Sequence, residues 1–201
     1  KLMTSVPSHS DPAIQILRAH DAAAGQALKM LLFNDKPEKY EKWVALLRDP
    51  VFEKKYNLPL DAQREQAYAR IKRVCDEKLV SIFDFINDPK NIFTAHEMLG
   101  SIDGSLATKF TVQFNLFGGT LSALYTDRHL PILKEVDSLK NMGCFCFTEL
   151  GYGNNAPKME TTATYDPATE TFDIHSPSVA SQKFWITNGA CHANYAVVFA
   201  Q

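Results

Sequence analysis

Residues 144–155 read Cys-Phe-Cys-Phe-Thr-Glu-Leu-Gly-Tyr-Gly-Asn-Asn, and they mark a change of structural class within this chain of 201 residues. Up to Thr148 the stretch is a short apolar run typical of a strand, and the glycines and asparagines after it are turn residues. Before this stretch, apolar residues recur every three or four positions, as in helices. After it, β-branched residues become frequent. The sequence therefore predicts an all-α domain over residues 1–140 and the beginning of a β domain over residues 141–201.

The helical part contains several signals for helix starts. Asp11 precedes Pro12 and Asp35 precedes Pro37, which is the order of an N-cap residue and a first-turn proline. Asp61 begins a predicted long helix with one apolar stripe. The stripe comprises Tyr68, Ile71, Cys75, Leu79, Ile82 and Ile86. We expect this stripe to lie in the core of the domain.

A second helix of unusual composition follows Asp103, which is predicted to be its N-cap. It is rich in phenylalanine between Phe110 and Phe117, and Gly118 and Gly119 are predicted to interrupt it. A helix with so few charges must be buried on most sides, and paired glycines let a neighbouring group approach closely.

The strand-rich part contains one clear hairpin signal. Turn residues at positions 165–169 separate two alternating segments, one around Ala163 and one around Phe172. Two more strands are predicted at residues 183–187 and 195–201. We expect an α+β protein whose second domain begins an antiparallel, β-barrel-like sheet. Because an apolar final strand needs partners, we also expect a large C-terminal part beyond this chain.

Composition excludes several classes of function. The chain is 45% hydrophobic and 22% charged, and its net charge is −2, so no basic surface is predicted to bind nucleic acid or a membrane. Its apolar runs are too short to span a bilayer. The four cysteines lack metal-ligand spacing, so we expect no metal site, and we expect them to be reduced thiols of an intracellular protein.

The glycine-containing loop permits two interpretations. Residues 151–156 match the spelling of a dinucleotide-binding turn, but Pro157 and a threonine-rich segment follow where that fold requires a helix. We therefore reject a Rossmann fold. The loop is either a plain surface loop or a turn whose backbone N–H groups bind phosphate.

Three segments together resemble the acyl-CoA dehydrogenase and oxidase superfamily. The first is residues 144–155, and its continuation over residues 159–172 is particularly similar to acyl-CoA oxidases. The second lies upstream of the first and comprises Asp103-Gly-Ser-Leu and Leu116-Phe-Gly-Gly. The third is Lys-Phe-Trp-Ile-Thr-Asn-Gly at residues 183–189. The order and the spacing of these segments are those of the family.

The resemblance implies an FAD cofactor and a set of residues around it. Thr148 would bind the pyrimidine side of the flavin ring, and Thr187 would lie near the flavin N5 atom. A phenylalanine-rich helix would form a wall of the acyl-chain cavity. The implied cofactor-binding residues are Phe145, Cys146, Phe147, Thr148, Gly153, Asn154, Trp185 and Thr187.

The resemblance also implies an activity. Such a protein oxidises fatty acyl-CoA to trans-2-enoyl-CoA, passes the electrons to oxygen, and works as a peroxisomal homodimer or higher oligomer. Its catalytic base would lie on a helix of a C-terminal helical domain beyond this chain, so Glu149 is interpreted as an ordering residue and no catalytic residue is assigned in this chain. Two alternatives stay open: a mitochondrial dehydrogenase, which the spelling around Thr187 favours, and a non-catalytic relative, which Asn154 allows because those dehydrogenases usually have serine there.

Overall fold

The computed structural model describes residues 22–33 and 36–201. The helix start predicted at Asp11 and Pro12 lies outside these residues, as does Asp35, whereas Pro37 does begin a helix. The α-helices are α1 (Ala22–Leu32), α2 (Pro37–Leu46), α3 (Leu60–Glu77), α4 (Asp84–Asn87), α5 (Pro89–Ile102), α6 (Gly104–Phe110), α7 (Gly119–Leu124) and α8 (Leu130–Leu133). Short 3-10 turns cover Pro50–Phe52, Asp127–His129 and Ala156–Lys158, and a π-helix, Thr111–Gly118, joins α6 to α7.

The predicted long helix after Asp61 is shorter than expected. Helix α3 ends at Glu77. The next residue, Lys78, has a left-handed φ of 56°, and the chain turns there before α4 begins. The apolar stripe is divided as a result: Ile71 and Ile82 are buried, whereas Ile86 is 77% exposed. The prediction of one continuous helix to Ile86 is therefore wrong.

The predicted cap of α6 is confirmed. The Asp103 carboxylate accepts a hydrogen bond from the Ser105 backbone N–H at 2.9 Å, and buried Arg70 donates to its other oxygen at 2.6 Å. The predicted interruption at Gly118 is wrong, because the π-helix runs through it into α7. The expected close approach does occur there. A Cβ at Gly118 would lie 2.5 Å from the Cγ2 atom of Ile82.

One apolar core fills the helical part. Its largest fully buried side chains include Trp43, Phe110 and Phe114, and the two phenylalanine rings stack with centroids 4.5 Å apart. From the strand-rich part, half-buried Val197 packs against this core. No helix among residues 22–33 and 36–201 combines the length and apolarity that crossing a bilayer requires.

Four strands occur within the described residues, and they form two separate pairs. These are β1 (Gly143–Cys146), β2 (Thr162–Asp166), β3 (Thr171–His175) and β4 (Tyr195–Val198). The predicted hairpin is confirmed, because β2 and β3 pair antiparallel. Strands β1 and β4 pair parallel, and neither two-stranded sheet closes, so a barrel-like antiparallel sheet is not supported. The chain is a mixed helix and strand protein.

The strand predicted at residues 183–187 does not form. Lys183 makes a single antiparallel bridge to Glu149, and the chain then enters a turn with left-handed φ angles of 61° at Trp185 and 71° at Asn188. A strand cannot contain such angles, because extended backbone needs negative φ. The last predicted strand is confirmed as β4, although it is shorter than residues 195–201.

Strand β1 is attached to the π-helix by close packing and by one amide. A Cβ at Gly143 would overlap the ring of Phe117, so only glycine fits at this position. Fully buried Gln113 accepts from the Gly143 N–H at 2.9 Å and donates to the carbonyls of Val136 and Asn141 at 3.1 and 3.0 Å. These contacts fix where β1 begins.

Candidate functional site

The two segments with the predicted cofactor residues lie side by side. The Thr148 carbonyl accepts a hydrogen bond from the Phe184 N–H at 3.0 Å. Further along, the Leu150 N–H donates to Gln182 and the Gly151 N–H donates to Ala180, at 2.9 and 2.8 Å. Residues that are far apart in sequence are therefore neighbours. The turn at residues 185–188, called the Trp185 turn below, begins beside the residues that follow β1.

Strand β1 presents different chemistry on its two faces. The rings of Phe145 and Phe147 lie on one face, with centroids 4.9 and 4.8 Å from that of Phe199. Cys144 and Cys146 lie on the other face, with their sulfur atoms 3.7 Å apart. Both are free thiols. Burial is the main cause that raises the pKa of Cys144 to about 11, and the neighbouring Cys146 adds to the increase. Phe199 carries no sequence signal beyond its position just after β4.

Lys183 joins the ends of three segments, and sequence reasoning missed it. Its ammonium group donates to the carbonyls of Phe199 and Phe147, at 2.8 and 3.3 Å, and to the Glu149 carboxylate at 3.1 Å. A lysine in a polar, turn-rich segment is ordinarily a surface residue. Only the folded arrangement shows that this one is a structural cation.

Glu149 orders the loop, as predicted. Its side chain is buried and accepts from the backbone N–H groups of Glu160 and Thr161, at 2.8 and 3.0 Å, and from Lys183. Burial alone would raise the pKa of Glu149, but the hydrogen bonds from Thr161, Glu160 and Lys183 outweigh it and lower the pKa to about 2. The group is a fixed carboxylate at neutral pH.

The glycine-containing loop is bonded to itself rather than open. The backbone N–H groups of Tyr152 and Gly153 both donate to the Glu149 carbonyl at 3.2 Å, and that of Gly151 donates to Ala180. These amides are therefore not available to a phosphate. Gly151 also packs closely, since a Cβ there would lie 2.6 Å from that of Ala180. Gly153, at a φ of 44°, and the neighbouring Asn154 are exposed.

The Trp185 turn has the groups that a flat, polar ring system needs. The Trp185 indole is 84% exposed, and Thr148 and Thr187 are half-buried. Within residues 22–33 and 36–201, neither threonine hydroxyl has a hydrogen-bond partner. An exposed aromatic face and two hydroxyls without partners, on segments joined by the Thr148–Phe184 hydrogen bond, are groups that fit the ring of a flavin. The self-bonded loop would offer side chains, but few backbone amides, to a flavin pyrophosphate.

Thr187 also lies on the wall of a cleft of about 430 Å³ between the helical part and the turn. Helices α3 and α6 form the opposite wall. The lining includes Arg64, Ala67, Thr108, Lys109, Ile186 and Cys191. The cleft therefore connects one predicted cofactor residue with polar and apolar side chains of the helical part.

The phenylalanine-rich helix lies mostly in the core. Phe110 and Phe114 are fully buried there, and Phe117 borders a space of about 260 Å³ that Leu121 and Val197 also line. The role of this helix as a wall of an acyl-chain cavity stays a prediction. Among the described residues, no cluster of three histidine, cysteine or acidic side chains is arranged to hold a metal ion.

Comparison with known proteins identifies the family. Human peroxisomal acyl-coenzyme A oxidase 3 is 32% identical over 200 residues, which is 98% of this chain and 29% of that protein. Acyl-coenzyme A oxidase 2, peroxisomal, of Arabidopsis thaliana is 34% identical over 171 residues, 84% of this chain and 23% of the relative. The chain belongs to the acyl-CoA oxidase family, and it spans under a third of the length of these relatives. No family model matches it.

Solved structures support the same assignment. The crystal structure of acyl-CoA oxidase 1 from Yarrowia lipolytica has a TM-score of 0.70 and 29% identity, covering 82% of this chain and 24% of that one. Acyl-CoA oxidase 2 of Caenorhabditis elegans, whose structure is bound with FAD, ascaroside-CoA and ATP, has a TM-score of 0.72 over 98% of this chain and 30% of that one. Its 21% identity supports the shared fold alone.

Proposed function

We propose that the protein to which this chain belongs is a peroxisomal, FAD-dependent acyl-CoA oxidase. It oxidises fatty acyl-CoA to trans-2-enoyl-CoA and passes the electrons to oxygen, as one step of fatty acid β-oxidation. Relatives named peroxisomal acyl-coenzyme A oxidases, one of them matching nearly the whole chain, support this proposal. The proposed molecular partner is a fatty acyl-CoA, and the proposed assembly is a homodimer or a higher homo-oligomer.

The observation that carries the proposal is the hydrogen bond between the Thr148 carbonyl and the Phe184 N–H, 3.0 Å long. It aligns the end of β1 with the Trp185 turn, so two motifs that the resemblance assigns to one cofactor do lie together. A chance similarity in either motif alone would not require this contact.

Each residue of the site has a proposed task. A bound FAD would accept a hydride from the β-carbon of the acyl chain and transfer the electrons to oxygen, giving hydrogen peroxide. The Thr148 and Thr187 hydroxyls would donate hydrogen bonds to the flavin ring, and the Trp185 indole would cover its edge. Phe145, Cys146 and Phe147 would line the flavin along the end of β1, with the two rings on one face of the strand and the thiol on the other. The exposed Gly153–Asn154 segment would contribute the Asn154 side-chain amide near the pyrophosphate.

The proposed division of labour follows the two parts of the chain. The proposed N-terminal helical domain comprises residues 1–140, and the proposed first part of the flavin-binding β domain comprises residues 141–201. Glu149 is fully engaged as an acceptor, so it is not proposed as the base that removes the substrate α-proton. That base is proposed to lie in a part of the protein outside this chain.

Spectroscopy of the purified full-length protein tests the function. We expect a flavin absorbance spectrum that bleaches when a fatty acyl-CoA is added without air, and hydrogen peroxide when air is present. Bleaching that is reversed only by an electron-transfer flavoprotein would instead support a dehydrogenase, which the Trp-Ile-Thr-Asn-Gly segment favours. A protein without flavin, or with flavin that acyl-CoA does not bleach, would be a non-catalytic relative.

Substitutions in the full-length protein test the site residues. Trp185→Ala and Thr187→Ala are each expected to weaken FAD binding by about tenfold, since one removes the aromatic face and the other a donor. The control is Tyr56→Ala, which removes a similarly exposed ring from a loop of the helical part. An unchanged dissociation constant for FAD in both site variants would remove the Trp185 turn from the proposed site.

A further inference from the structure

A buried lysine connects the helical part to the Trp185 turn. Lys109, on α6, is 6% exposed, and its ammonium group donates to the Asn188 side-chain oxygen at 2.6 Å. The same nitrogen lies 3.0 Å from Nδ1 of His192. Burying an ammonium group costs free energy unless the group is hydrogen-bonded, so the loss of these contacts would destabilise the folded state.

Asn188 is the residue that passes this contact to the rest of the site. It is 4% exposed, and its side-chain nitrogen donates to the Gly143 carbonyl, at 3.3 Å, where β1 begins. Its own backbone carbonyl accepts from the N–H groups of Cys191, His192 and Ala193, at 3.2, 3.1 and 3.0 Å. One asparagine therefore joins α6, β1 and the segment that follows Thr187.

The neighbouring histidine supports the lysine from the other side. Because an ammonium group only donates, Nδ1 of His192 must accept, and the ring proton then lies on Nε2, which is 3.0 Å from the Glu65 carboxylate. The ring also stacks on Tyr68, with centroids 4.7 Å apart and planes 7° from parallel. Helix α3 thereby fixes His192, and His192 limits where the Lys109 ammonium can lie.

We propose that Lys109 is a positioning residue for the cofactor site: through Asn188 it holds the Trp185 turn against β1 and so sets the position of the Thr187 hydroxyl. The inference rests on the proposed function, because it concerns the same flavin site. Thr187 immediately precedes Asn188, and its backbone N–H donates to the Trp185 carbonyl at 3.1 Å within a tight turn. A shift of Asn188 must therefore move Thr187.

Two substitutions separate this role from a general role in stability. Lys109→Met keeps the length and the apolar stem but removes the charge, and replacement of buried charged groups by apolar ones is often tolerated. Burial also lowers the pKa of Lys109, with Cys191 and Glu65 opposing that shift, so the charge is held at a cost. Asn188→Gly removes the side-chain amide and permits the left-handed φ of 71°.

The experiment uses the full-length protein and two readouts. Lys109→Met and Asn188→Gly are each expected to weaken FAD binding about tenfold and to shift the flavin absorbance maxima. Amide hydrogen exchange at Cys191, His192 and Ala193 should also become at least about tenfold faster. In the double variant the effect on FAD binding should be smaller than the sum of the two single effects, because both changes break the same Lys109–Asn188 contact. The control is Lys72→Met, which removes an exposed lysine from α3.

The outcomes distinguish failure of this inference from failure of the proposed function. A wild-type protein without bound flavin would overturn the proposed function, and the inference with it. If the wild type binds flavin, Lys109→Met with wild-type exchange and a wild-type flavin spectrum would overturn the inference alone. Additive effects in the double variant, or an equal effect of Lys72→Met, would also overturn it. Circular dichroism confirms that each variant is folded.

Discussion

The helical part of the chain buries aromatic rings in its core, whereas the hairpin of the strand-rich part exposes them to solvent. In the helical part, the rings of Trp43, Phe110 and Phe114 are completely buried. In the hairpin β2–β3, the Phe172 ring is 64% exposed, and it contacts the Tyr165 ring, which is exposed as well. A two-stranded hairpin buries too little surface to be stable alone. The helical part thus supplies the stability of the chain, whereas the hairpin leaves its aromatic rings exposed to solvent.

The largest expected loss of stability comes from a substitution in the core of the helical part. Phe114→Ala in this chain should lower the free energy of unfolding by about 4 kcal/mol, because it leaves a cavity among fully buried rings. Urea unfolding measures the change. A loss below about 1 kcal/mol would mean that the core of the helical part does not carry the stability of the chain.

The next effect concerns the junction between the two parts. Gly143→Ala should cost about 3 kcal/mol, because the new Cβ would overlap the Phe117 ring within the core. Gly100→Ala is the matched control, since no atom lies within 4 Å of a Cβ built there and alanine favours the helix. Equal stabilities of the two variants would show that β1 does not pack on the π-helix.

A smaller effect, with a characteristic pH dependence, is expected at the loop carboxylate. The pKa of Glu149 is lowered from 4.5 to about 2, so its contribution is fully present above about pH 4.5 and is lost as the pH falls toward 2. Glu149→Gln should cost about 2 kcal/mol at pH 7 and remove that part of the acid dependence. Urea unfolding between pH 3 and pH 7 measures both. An unchanged acid profile in the variant would contradict the assigned hydrogen bonds.

The smallest effect is expected at the exposed hairpin. Phe172→Ala in this chain should change the free energy of unfolding by less than about 1 kcal/mol, because most of the ring is already in water. A loss as large as that of Phe114→Ala would remove the contrast between the two parts. Comparing the two variants by urea unfolding under identical conditions decides the matter.

Local signals in the sequence were sufficient for some elements. The Asp103 cap and the β2–β3 hairpin follow from residue types within a few positions, so both were predictable. The left-handed residues Lys78 and Trp185 were not, because neither residue type favours a positive φ and tertiary contacts impose it. The parallel pairing of β1 with β4 joins strands about fifty residues apart, and no local pattern encodes it.

The residues of the candidate site likewise divide into those that the sequence predicts and those that only the folded structure reveals. Thr148, Trp185 and Thr187 were predicted through the resemblance, and the structure brings their segments together. Lys183 and Lys109 were missed, because a lysine in a sequence looks like a solvated residue until its neighbours are known. Buried cations of this kind are visible only from contacts between distant segments.

The amide of Gln113 has a consequence for accuracy in folding. It offers its nitrogen to two carbonyls and its oxygen to the Gly143 N–H, so it distinguishes one backbone polarity from the other. A one-residue slip of β1 would present a carbonyl where the amide oxygen requires an N–H, and it would exchange the thiol and ring faces of the strand. A single buried side chain thus selects the register of β1, and the position of the candidate site depends on that register.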